Sequence, residues 1–276
     1  MAAIIPPVYV NNPHPLVPRY GLFDVAVGPL DLPEHARAGG LDYQTDACQL
    51  PDGYAIACTP DVTEKTFDDG PDTITGTPFV VRSSLTCGAV GLTEQLLRQR
   101  LVNRLRAGEQ AAVENIFSAA AVGQSPGLPG ASVVTPDCTD IVGTVGALEE
   151  ALYSTYGLIG VLHVPFLAAS FMKDHHLVEK DGRIWRTVLG TAVSIGNYNN
   201  SSPADPQVPA AAGAAWIYIT GSVAIWRTPD SQVFTTSMAQ ALNRTTNQVL
   251  GQAEREYVVT FECGSFAAEA TLCTVA

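Results

Sequence analysis

The longest helical pattern in the sequence, residues 91–121, constrains the fold more than any other feature. Its apolar residues recur at steps of mostly three, four and seven, which is the spacing of one helical face. These residues are Leu92, Leu96, Leu97, Leu101, Leu105, Ala112, Val113, Ile116 and Phe117. Thr93 is suited to cap the start, and Gly123 and Pro126 are suited to end the helix. About 27 residues give a rod of roughly 40 Å, so one face must lie along a sheet or another large element.

The opposite face of this helix is basic. It carries Arg98, Arg100, Arg104 and Arg106 within nine residues, in a chain whose net charge is −12. One interpretation is a solvated face, and the other is a docking surface for an acidic partner. The chain contains twelve Arg and only three Lys. Because Arg forms forked, partly dry ion pairs more readily than Lys, this usage favours docking.

A complementary acidic region precedes the helix. Between Leu22 and Gly76, eleven acidic residues outnumber two basic ones, Arg37 and Lys65, for a net charge of −9. The acidic residues that we expect at an interface are Asp61, Glu64, Asp68 and Asp69. An acidic region and a basic helix in one chain predict that this part of one molecule docks on the helix of another copy.

Composition narrows the class of protein. A hydrophobic content of 46% is enough for a packed core. No run approaches the roughly 18 apolar residues of a membrane helix, and the N-terminus lacks the features of a signal peptide, which together predict synthesis in the cytosol. The acidic net charge argues against a general nucleic-acid coat. Synthesis in the cytosol favours free thiols over disulfides, and the cysteine spacing is poor for a zinc site. We expect free thiols at the cysteines, which are Cys48, Cys58, Cys87, Cys138, Cys263 and Cys273.

Two motifs invite a catalytic or metal interpretation, and both are weak. Residues 123–127 match the G-x-S-x-G elbow, but Pro126 lacks the N–H that an oxyanion hole needs, so a turn is favoured. Adjacent His175 and His176 point about 100° apart on a helix and cannot easily share an ion with His163. We predict no catalytic residue, no cofactor-binding residue and no metal ligand.

The remaining chain divides into short elements. Residues 1–22 contain five prolines and predict an extended arm. Two strands are predicted within 40–60 around the turn Pro51–Gly53, and a further strand within 77–86 leads into the long helix. After that helix, the pattern predicts a helix at 139–156, a strand at 158–164, a helix at 166–176 and a strand at 184–195, which form one α/β unit. The last predicted elements are a loop at 197–213, a strand pair at 215–227, a helix at 237–250, and strands at 256–262 and 267–276.

Three stretches within residues 77–276 carry a resemblance to a known family: QLLRQRLVNRLRAGEQAAVENIFSAA; GALEEALYSTYGLIGVLHVPFLAASFMKDHHLV followed by IWRTVLGTAVSIGNY; and AEREYVVTFECGSFAAEATL. In this order they resemble the spine helix, the axial domain and the closing peripheral-domain strands of the major capsid proteins of tailed bacteriophages. That Hong Kong-97-type fold is shared with encapsulin shells.

The resemblance implies an α+β phage capsid fold. Its parts would be an N-terminal arm (1–39), an extended β-hairpin or E-loop (40–80), a peripheral domain with the spine helix (81–134), an α/β axial domain (135–235), and a return to the peripheral domain (236–276). The loop at 197–213 would lie near the capsomer axis. The hairpin would reach over an adjacent subunit, and the arm would lie across another.

The resemblance also implies a function. The chain would assemble with itself into hexamers and pentamers of an icosahedral capsid that encloses double-stranded DNA without sequence-specific contacts and without a membrane. It would assemble in the host bacterial cytoplasm and reside in the virion, with scaffolding, portal and cement proteins as possible partners. There is no helical scaffolding segment at the N-terminus, so a scaffold would be separate or already removed. No constellation around Lys65 matches the Lys–Asn cross-link of some family members.

Two alternatives stay open. The first is an encapsulin-like protein or another virion structural protein, such as a tail or decoration protein. The second is a soluble α/β enzyme. The enzyme hypothesis predicts a monomer or small oligomer with a convergent polar pocket.

Overall fold

The computed structural model describes residues 18–45, 48–51, 70–89, 91–120 and 124–273. These residues form an α+β fold with two large sheets and one separate two-stranded hairpin. The helices are α1 (Leu22–Val25), α2 (Ala36–Gly39), α3 (Glu94–Ala119), α4 (Ile141–Tyr156), α5 (Phe166–Asp174) and α6 (Met238–Ala241). Among the described residues, no helix is long and apolar enough to cross a membrane.

The long helix predicted from the sequence is confirmed as α3, which has 26 residues. Thr93 caps its start, because the Thr93 hydroxyl oxygen accepts a hydrogen bond from the Leu96 N–H at 3.2 Å. The helix ends at Ala119, followed by Ala120 in the left-handed conformation with φ 44°. The predicted end signals at Gly123 and Pro126 therefore lie just beyond the true end.

Sheet 1 lies against α3. Its strands are β1 (Val27–Asp31), β4 (Phe79–Gly88), β11 (Val223–Arg227), β12 (Phe234–Thr235), β13 (Leu242–Asn243) and β14 (Gln248–Phe261). The longest strand, β14, pairs antiparallel with β4 over ten residues. The buried face of α3 packs on this sheet through Leu97, Leu101, Leu105, Val113 and Phe117.

Close approach of the helix to sheet 1 depends on a glycine. A Cβ atom at Gly251 in β14 would lie 3.0 Å from side-chain atoms of both Leu97 and Leu101. Glycine in a strand interior is often found where another element comes unusually near. Gly251 thus lets the leucine stripe of α3 lie directly on β14.

Sheet 2 is built mostly from the second half of the chain, in the order β5-β15-β10-β6-β9-β8-β7. Its strands are β5 (Ser132–Val133), β6 (Val161–Pro165), β7 (Val178–Asp181), β8 (Ile184–Thr187), β9 (Ala192–Gly196), β10 (Ala214–Thr220) and β15 (Ser265–Thr271). Helices α4 and α5 pack on it around a separate apolar core. The predicted α/β unit is confirmed, with Asp140 capping α4 through the Gly143 N–H at 2.7 Å.

The strand predicted at 184–195 is interrupted. It divides into β8 and β9, because residues 188–191 form a turn in which the Gly190 N–H donates to the Thr187 carbonyl at 3.0 Å. The loop predicted at 197–213 is confirmed as irregular, and its start is tied to α3. Asn199 N–H donates to the Ser118 hydroxyl oxygen at 2.7 Å. Its placement near a capsomer axis stays a prediction.

The strand pair predicted at 215–227 is wrong in one respect. Both strands exist, but β10 belongs to sheet 2 and β11 to sheet 1, so they do not pair with each other. The chain crosses between the sheets at Gly221 and Ser222. The return crossing between β14 and β15 lies beside it, since the Glu262 N–H donates to the Ser222 carbonyl at 2.9 Å. Local alternation in the sequence identifies strands, but it does not reveal which sheet each strand joins.

The helix predicted at 237–250 is also wrong. Only α6 is helical there, and the chain then turns at residues 244–247 into β14, which begins earlier than the predicted strand at 256–262. The Asn243 side-chain oxygen accepts from the Thr245 N–H at 3.0 Å. Such side-chain hydrogen bonds to nearby backbone groups favour turns over helices.

The acidic hairpin has a different base from the one predicted. Strand β2 (Leu41–Thr45) pairs with β3 (Asp72–Gly76), with Leu41 opposite Gly76, rather than with a strand directly after Pro51. The predicted second strand around Tyr54 and Ile56 lies outside the described residues.

The prediction that all cysteines are free thiols is wrong for two of them. Cys48 and Cys263 form a disulfide, with their Cα atoms 5.1 Å apart and a separation of 215 positions in the sequence. The cellular compartment and the cysteine spacing do not predict this disulfide. Its two cysteines come close, with a geometry that permits the bond, only when the chain folds. Cys87, Cys138 and Cys273 are free, and Cys58 lies outside the described residues.

Candidate subunit-interface surface

The four arginines predicted to form a docking face have different surroundings. Arg98 and Arg104 are exposed on α3, whereas Arg100 is half-buried. Arg106 is exposed but forms an ion pair within the chain, since its Nη2 lies 3.0 Å from Asp230 Oδ2. The outward basic surface available to a partner is therefore centred on Arg98 and Arg104. Their predicted acidic counterparts, Asp61, Glu64, Asp68 and Asp69, lie outside the described residues.

The inward face of α3 carries a buried carboxylate that the sequence analysis missed. Glu109 Oε2 accepts hydrogen bonds from Arg255 Nη1 at 2.7 Å and from the Tyr257 hydroxyl at 2.6 Å. Its other oxygen accepts from Arg227 Nη1 at 3.1 Å. Because Arg255 and Tyr257 lie on β14 and Arg227 ends β11, one helical carboxylate joins two strands of sheet 1. Its position on the apolar stripe of α3 was the available signal.

This buried cluster is connected to the exposed basic face. Arg255, only 1% exposed, also pairs with Asp230, and Asp230 in turn pairs with Arg106. Partial desolvation tends to raise the pKa of Asp230, but the charges of Arg255 and Arg106 outweigh it and hold the pKa below its ordinary value. A chain of alternating charges thus runs from Glu109 inside the protein to Arg106 at the surface.

A second buried carboxylate, Glu114, attaches two distant segments to α3. Its Oε1 accepts from the Leu22 N–H at 2.9 Å, and its Oε2 accepts from the Asn197 N–H at 2.7 Å. Burial raises the pKa of Glu114 above its ordinary value, although the two backbone hydrogen bonds favour the charged form. Glu114 therefore fixes the segment at Leu22 and the chain leaving β9 at Asn197 on the same helix.

The three histidines considered for a metal site have separate roles. His163 is fully buried in β6, where its ring nitrogens lie 3.2 Å from the Tyr198 hydroxyl and 2.9 Å from the Thr220 hydroxyl. Burial lowers the pKa of His163 to about 3, so the ring is neutral at physiological pH. His175 and His176 lie exposed at the end of α5, as predicted. Within the described ranges, no group of His, Cys, Asp and Glu is arranged to hold a metal ion.

Ser125, the serine of the G-x-S-x-G match, has a structural role. Its N–H donates to the Thr77 hydroxyl oxygen at 2.7 Å, and its carbonyl accepts from the Thr77 N–H at 2.7 Å. The serine lies in a bend without a following helix, so the predicted turn is confirmed. These bonds fasten the exit of α3 to the chain that enters β4.

One surface cavity has a volume of about 270 Å³, and its lining residues are Arg19, Tyr20, Asp24, Lys180, Gly182 and Arg183. This volume is just below the roughly 300–1,000 Å³ of typical small-molecule sites. Asp24 is already used, because its Oδ2 accepts from the Tyr20 N–H at 2.9 Å. Three of its six lining residues are cationic, and the lining lacks the paired acid and base of a hydrolytic site.

The sequence matches no protein-family model, and comparison with curated proteins gives no match either. Solved structures do match over nearly the whole chain. The capsid of an empty GTA particle aligns over 97% of this chain and 95% of its own, with 14% identity and a TM-score of 0.59. A structure from Mycobacterium phage Adephagia covers 98% and 96%, with 13% identity and a TM-score of 0.54.

A third match extends along the full length. The capsid of Ralstonia phage GP4 aligns over 100% of this chain and 99% of its own, with 10% identity and a TM-score of 0.52. Such agreement at low identity concerns backbone architecture rather than particular side chains. The chain therefore has the fold of phage capsid subunits, as its sequence predicted.

Proposed function

We propose that this chain is a structural subunit that assembles with itself into hexamers and pentamers of an icosahedral shell enclosing phage double-stranded DNA. The observation that carries this proposal is the near-complete alignment, in both directions, with capsid structures. A compact domain shared with another protein would leave the extended segments of one chain unmatched. Here the alignment with the capsid of Ralstonia phage GP4 spans 100% of this chain and 99% of its own.

The parts of the molecule fit the roles that such a subunit needs. Sheet 1 with α3 is the peripheral domain, and sheet 2 with α4 and α5 is the axial domain. The hairpin at 40–80 and the proline-rich residues before Leu22 reach neighbouring subunits. The rest of the predicted arm (22–39) stays on its own subunit, because Leu22 is fully buried there and β1 joins sheet 1. We place the shell in the virion after assembly in the host bacterial cytoplasm, and assign it no enzymatic role. Scaffolding, portal and cement proteins are its further partners.

Size measurement is the primary test of this proposal. The purified full chain is examined by multi-angle light scattering and negative-stain electron microscopy. We expect closed particles built from many 29.1-kDa subunits. A monodisperse monomer under all assembly conditions would contradict the proposal. Particles that hold protein cargo in place of a genome, isolated from infected cells, would favour the encapsulin-like alternative.

The exposed basic face of α3 is the subunit contact that we propose in most detail. Arg98 and Arg104 have no ion-pair partner among the described residues of the chain itself. The acidic residues Asp61, Glu64, Asp68 and Asp69 supply complementary charge from the hairpin of a second copy. Arg100 is half-buried and Arg106 is paired with Asp230, so both lie at the margin of this surface rather than at its centre.

Charge reversal tests that contact. In Arg98→Glu/Arg104→Glu we expect particle yield to fall at least about tenfold, because like charges at an interface cost several kcal/mol. The free energy of unfolding of the isolated subunit should stay within about 0.5 kcal/mol of the parent, since both side chains are exposed. Arg244→Glu, in the exposed turn before β14, is the control for a general charge effect. Normal assembly of the double variant would exclude the docking surface while leaving the shell proposal intact.

A further inference from the structure

The base of the acidic hairpin is fixed to sheet 1 by three separate contacts. The Tyr43 hydroxyl donates to the Phe261 carbonyl at 2.8 Å. Gly76 lies so near β14 that a Cβ atom there would be 2.8 Å from the Val258 side chain. The third contact is the Cys48–Cys263 disulfide, the one covalent link among them.

Cys263 occupies a mechanically important position. It lies in the turn between β14 of sheet 1 and β15 of sheet 2, and it is only 8% exposed. The other crossing between the sheets, at Ser222, is hydrogen-bonded to the neighbouring Glu262. Both crossings therefore run side by side, and the disulfide attaches the hairpin segment directly to this joint.

The segment after Cys48 continues across the joint onto sheet 2. Leu50 packs at the C-terminal end of α4, where a Cβ atom at Gly157 would lie 2.9 Å from Leu50 Cδ2. Tyr156, the last residue of α4, lies against Gly264 on the other side of the same turn. Residues 48–50 thus form a strap, anchored by the disulfide at the turn between β14 and β15 and resting on α4 of sheet 2.

We propose that Cys48–Cys263 is a redox lock, which closes after assembly and holds this strap across the joint between the two sheets. The proposal rests on the proposed function, because a shell that assembles inside a cell and is then released passes from a reducing to an oxidising environment. With both cysteines reduced, only noncovalent contacts hold the hairpin base. With the disulfide formed, the hairpin cannot leave the joint without unfolding the turn at Cys263.

The chemistry is ordinary thiol–disulfide exchange with a low-molecular-weight disulfide such as oxidised glutathione. Cys48, the more exposed of the pair, attacks the disulfide as a thiolate, forms a mixed disulfide and releases one glutathione thiolate. The Cys263 thiolate then attacks the Cys48 sulfur and releases the second. Two electrons pass to glutathione, and the protons lost by the two cysteines return to the two released thiolates.

The experiment uses the full chain, prepared under reductant and then treated with oxidised glutathione. Peptide mapping should find Cys48 joined to Cys263, with the loss of two hydrogen atoms in the intact mass. Amide hydrogen exchange in residues 41–45 and 72–76 should slow at least about tenfold on oxidation, while exchange in β6 should not change. The unfolding midpoint should rise by about 10 °C, as expected for a long closed loop.

Matched cysteine variants make the test specific. Cys48→Ser and Cys263→Ser should each abolish the oxidation-dependent slowing, and Cys138→Ser, which changes an exposed free thiol, should retain it. Equal hairpin exchange in both redox states would overturn the proposal, as would a map that joins Cys58 to either partner. Because exchange is measurable on unassembled subunits, failure of the lock is distinguishable from failure to form shells.

Discussion

The two sheets of this protein are stabilised by different kinds of interior. The core between sheet 2 and its helices is apolar, with Ile141 and Leu148 of α4 packed on Leu162, Ile217 and Ala268 of the strands. Sheet 1 also packs apolar side chains against its helix, but it adds buried charge. Among the described residues, the buried charged side chains are Glu109 on α3 and Arg255 on β14, which meet at sheet 1, and Glu114 on α3, which bonds Leu22 and Asn197.

The difference follows from how each sheet is assembled. Helix α4, strand β6, helix α5 and strand β9 come from one continuous segment, so apolar complementarity and short loops are enough to join them. Sheet 1 unites β4 with β14, more than 150 residues later in the chain. A buried carboxylate that must meet Arg255 and Tyr257 permits few alternative registers. We infer that the charges in sheet 1 define its pairing more than they add to its net stability.

The largest effect should come from removing one partner of the buried charge cluster. Arg255→Met leaves Glu109 with only Arg227 and Tyr257, and we expect a loss of about 4 kcal/mol in the free energy of unfolding. Urea denaturation of the unassembled subunit measures it. Glu109→Leu/Arg255→Met should recover most of this loss. If the single variant costs under about 1 kcal/mol, the contrast between the two interiors disappears.

A cavity in sheet 2 should cost slightly less. Leu148 is fully buried on α4. Leu148→Ala removes apolar packing without exposing an unpaired charge, so we expect a loss of about 3 kcal/mol by the same denaturation measurement. The stability lost in Leu148→Ala should not be restored by a second substitution at a charged residue, whereas the loss in Arg255→Met should be. Rescue by a larger side chain at a neighbouring core position would be consistent with an apolar interior.

Glu114 should show a moderate effect with a distinctive pH dependence. Glu114→Gln can accept through only one side-chain atom, so one of the Leu22 and Asn197 N–H groups loses its partner, at a cost of about 2 kcal/mol. Burial raises the pKa of Glu114, and its stabilising contribution is therefore lost as pH rises through that folded value. Stability curves of the variant should lack this decline above the ordinary glutamate range.

Substitution of Asp230 should change the free energy of unfolding least, and its pH dependence should be opposite to that of Glu114. Its pKa is held below the ordinary value, so its contribution is present above about pH 4 and is lost as pH falls through the folded pKa. Because its side chain is half exposed, solvent limits the contribution to under about 1 kcal/mol. Asp230→Asn should flatten the acid limb of the stability curve. An unchanged acid limb would show that Asp230 does not stabilise the cluster.

Elements formed by one continuous segment were predicted from the sequence better than strands that pair over long separations. The helices and the first strand of the unit at 139–195 were predicted to within about three residues, because their patterns are local, although the last predicted strand divides into β8 and β9. The errors at 215–227 and 237–250 concern strands that cross between sheets or pair across long separations. No local pattern distinguishes β10 from β11 as members of different sheets.

The candidate interface was predicted only in part. The sequence identified the basic face of α3, and the structure confirms the exposure of Arg98 and Arg104. It did not show that Arg106 is already paired, since Asp230 is 124 residues away. The buried roles of Glu109 and Glu114 were missed for the same reason, because a carboxylate on an apolar stripe does not name its partner.

The sequence by itself determined the long helix, the α/β unit and the order of segments typical of a phage capsid subunit, because helical periodicity, capping and alternation depend on near neighbours. The tertiary structure alone decided which strands share a sheet, which charges meet inside, and that Cys48 reaches Cys263. Those outcomes depend on contacts between residues far apart in the chain. Their free energy is realised only when the whole fold brings them together.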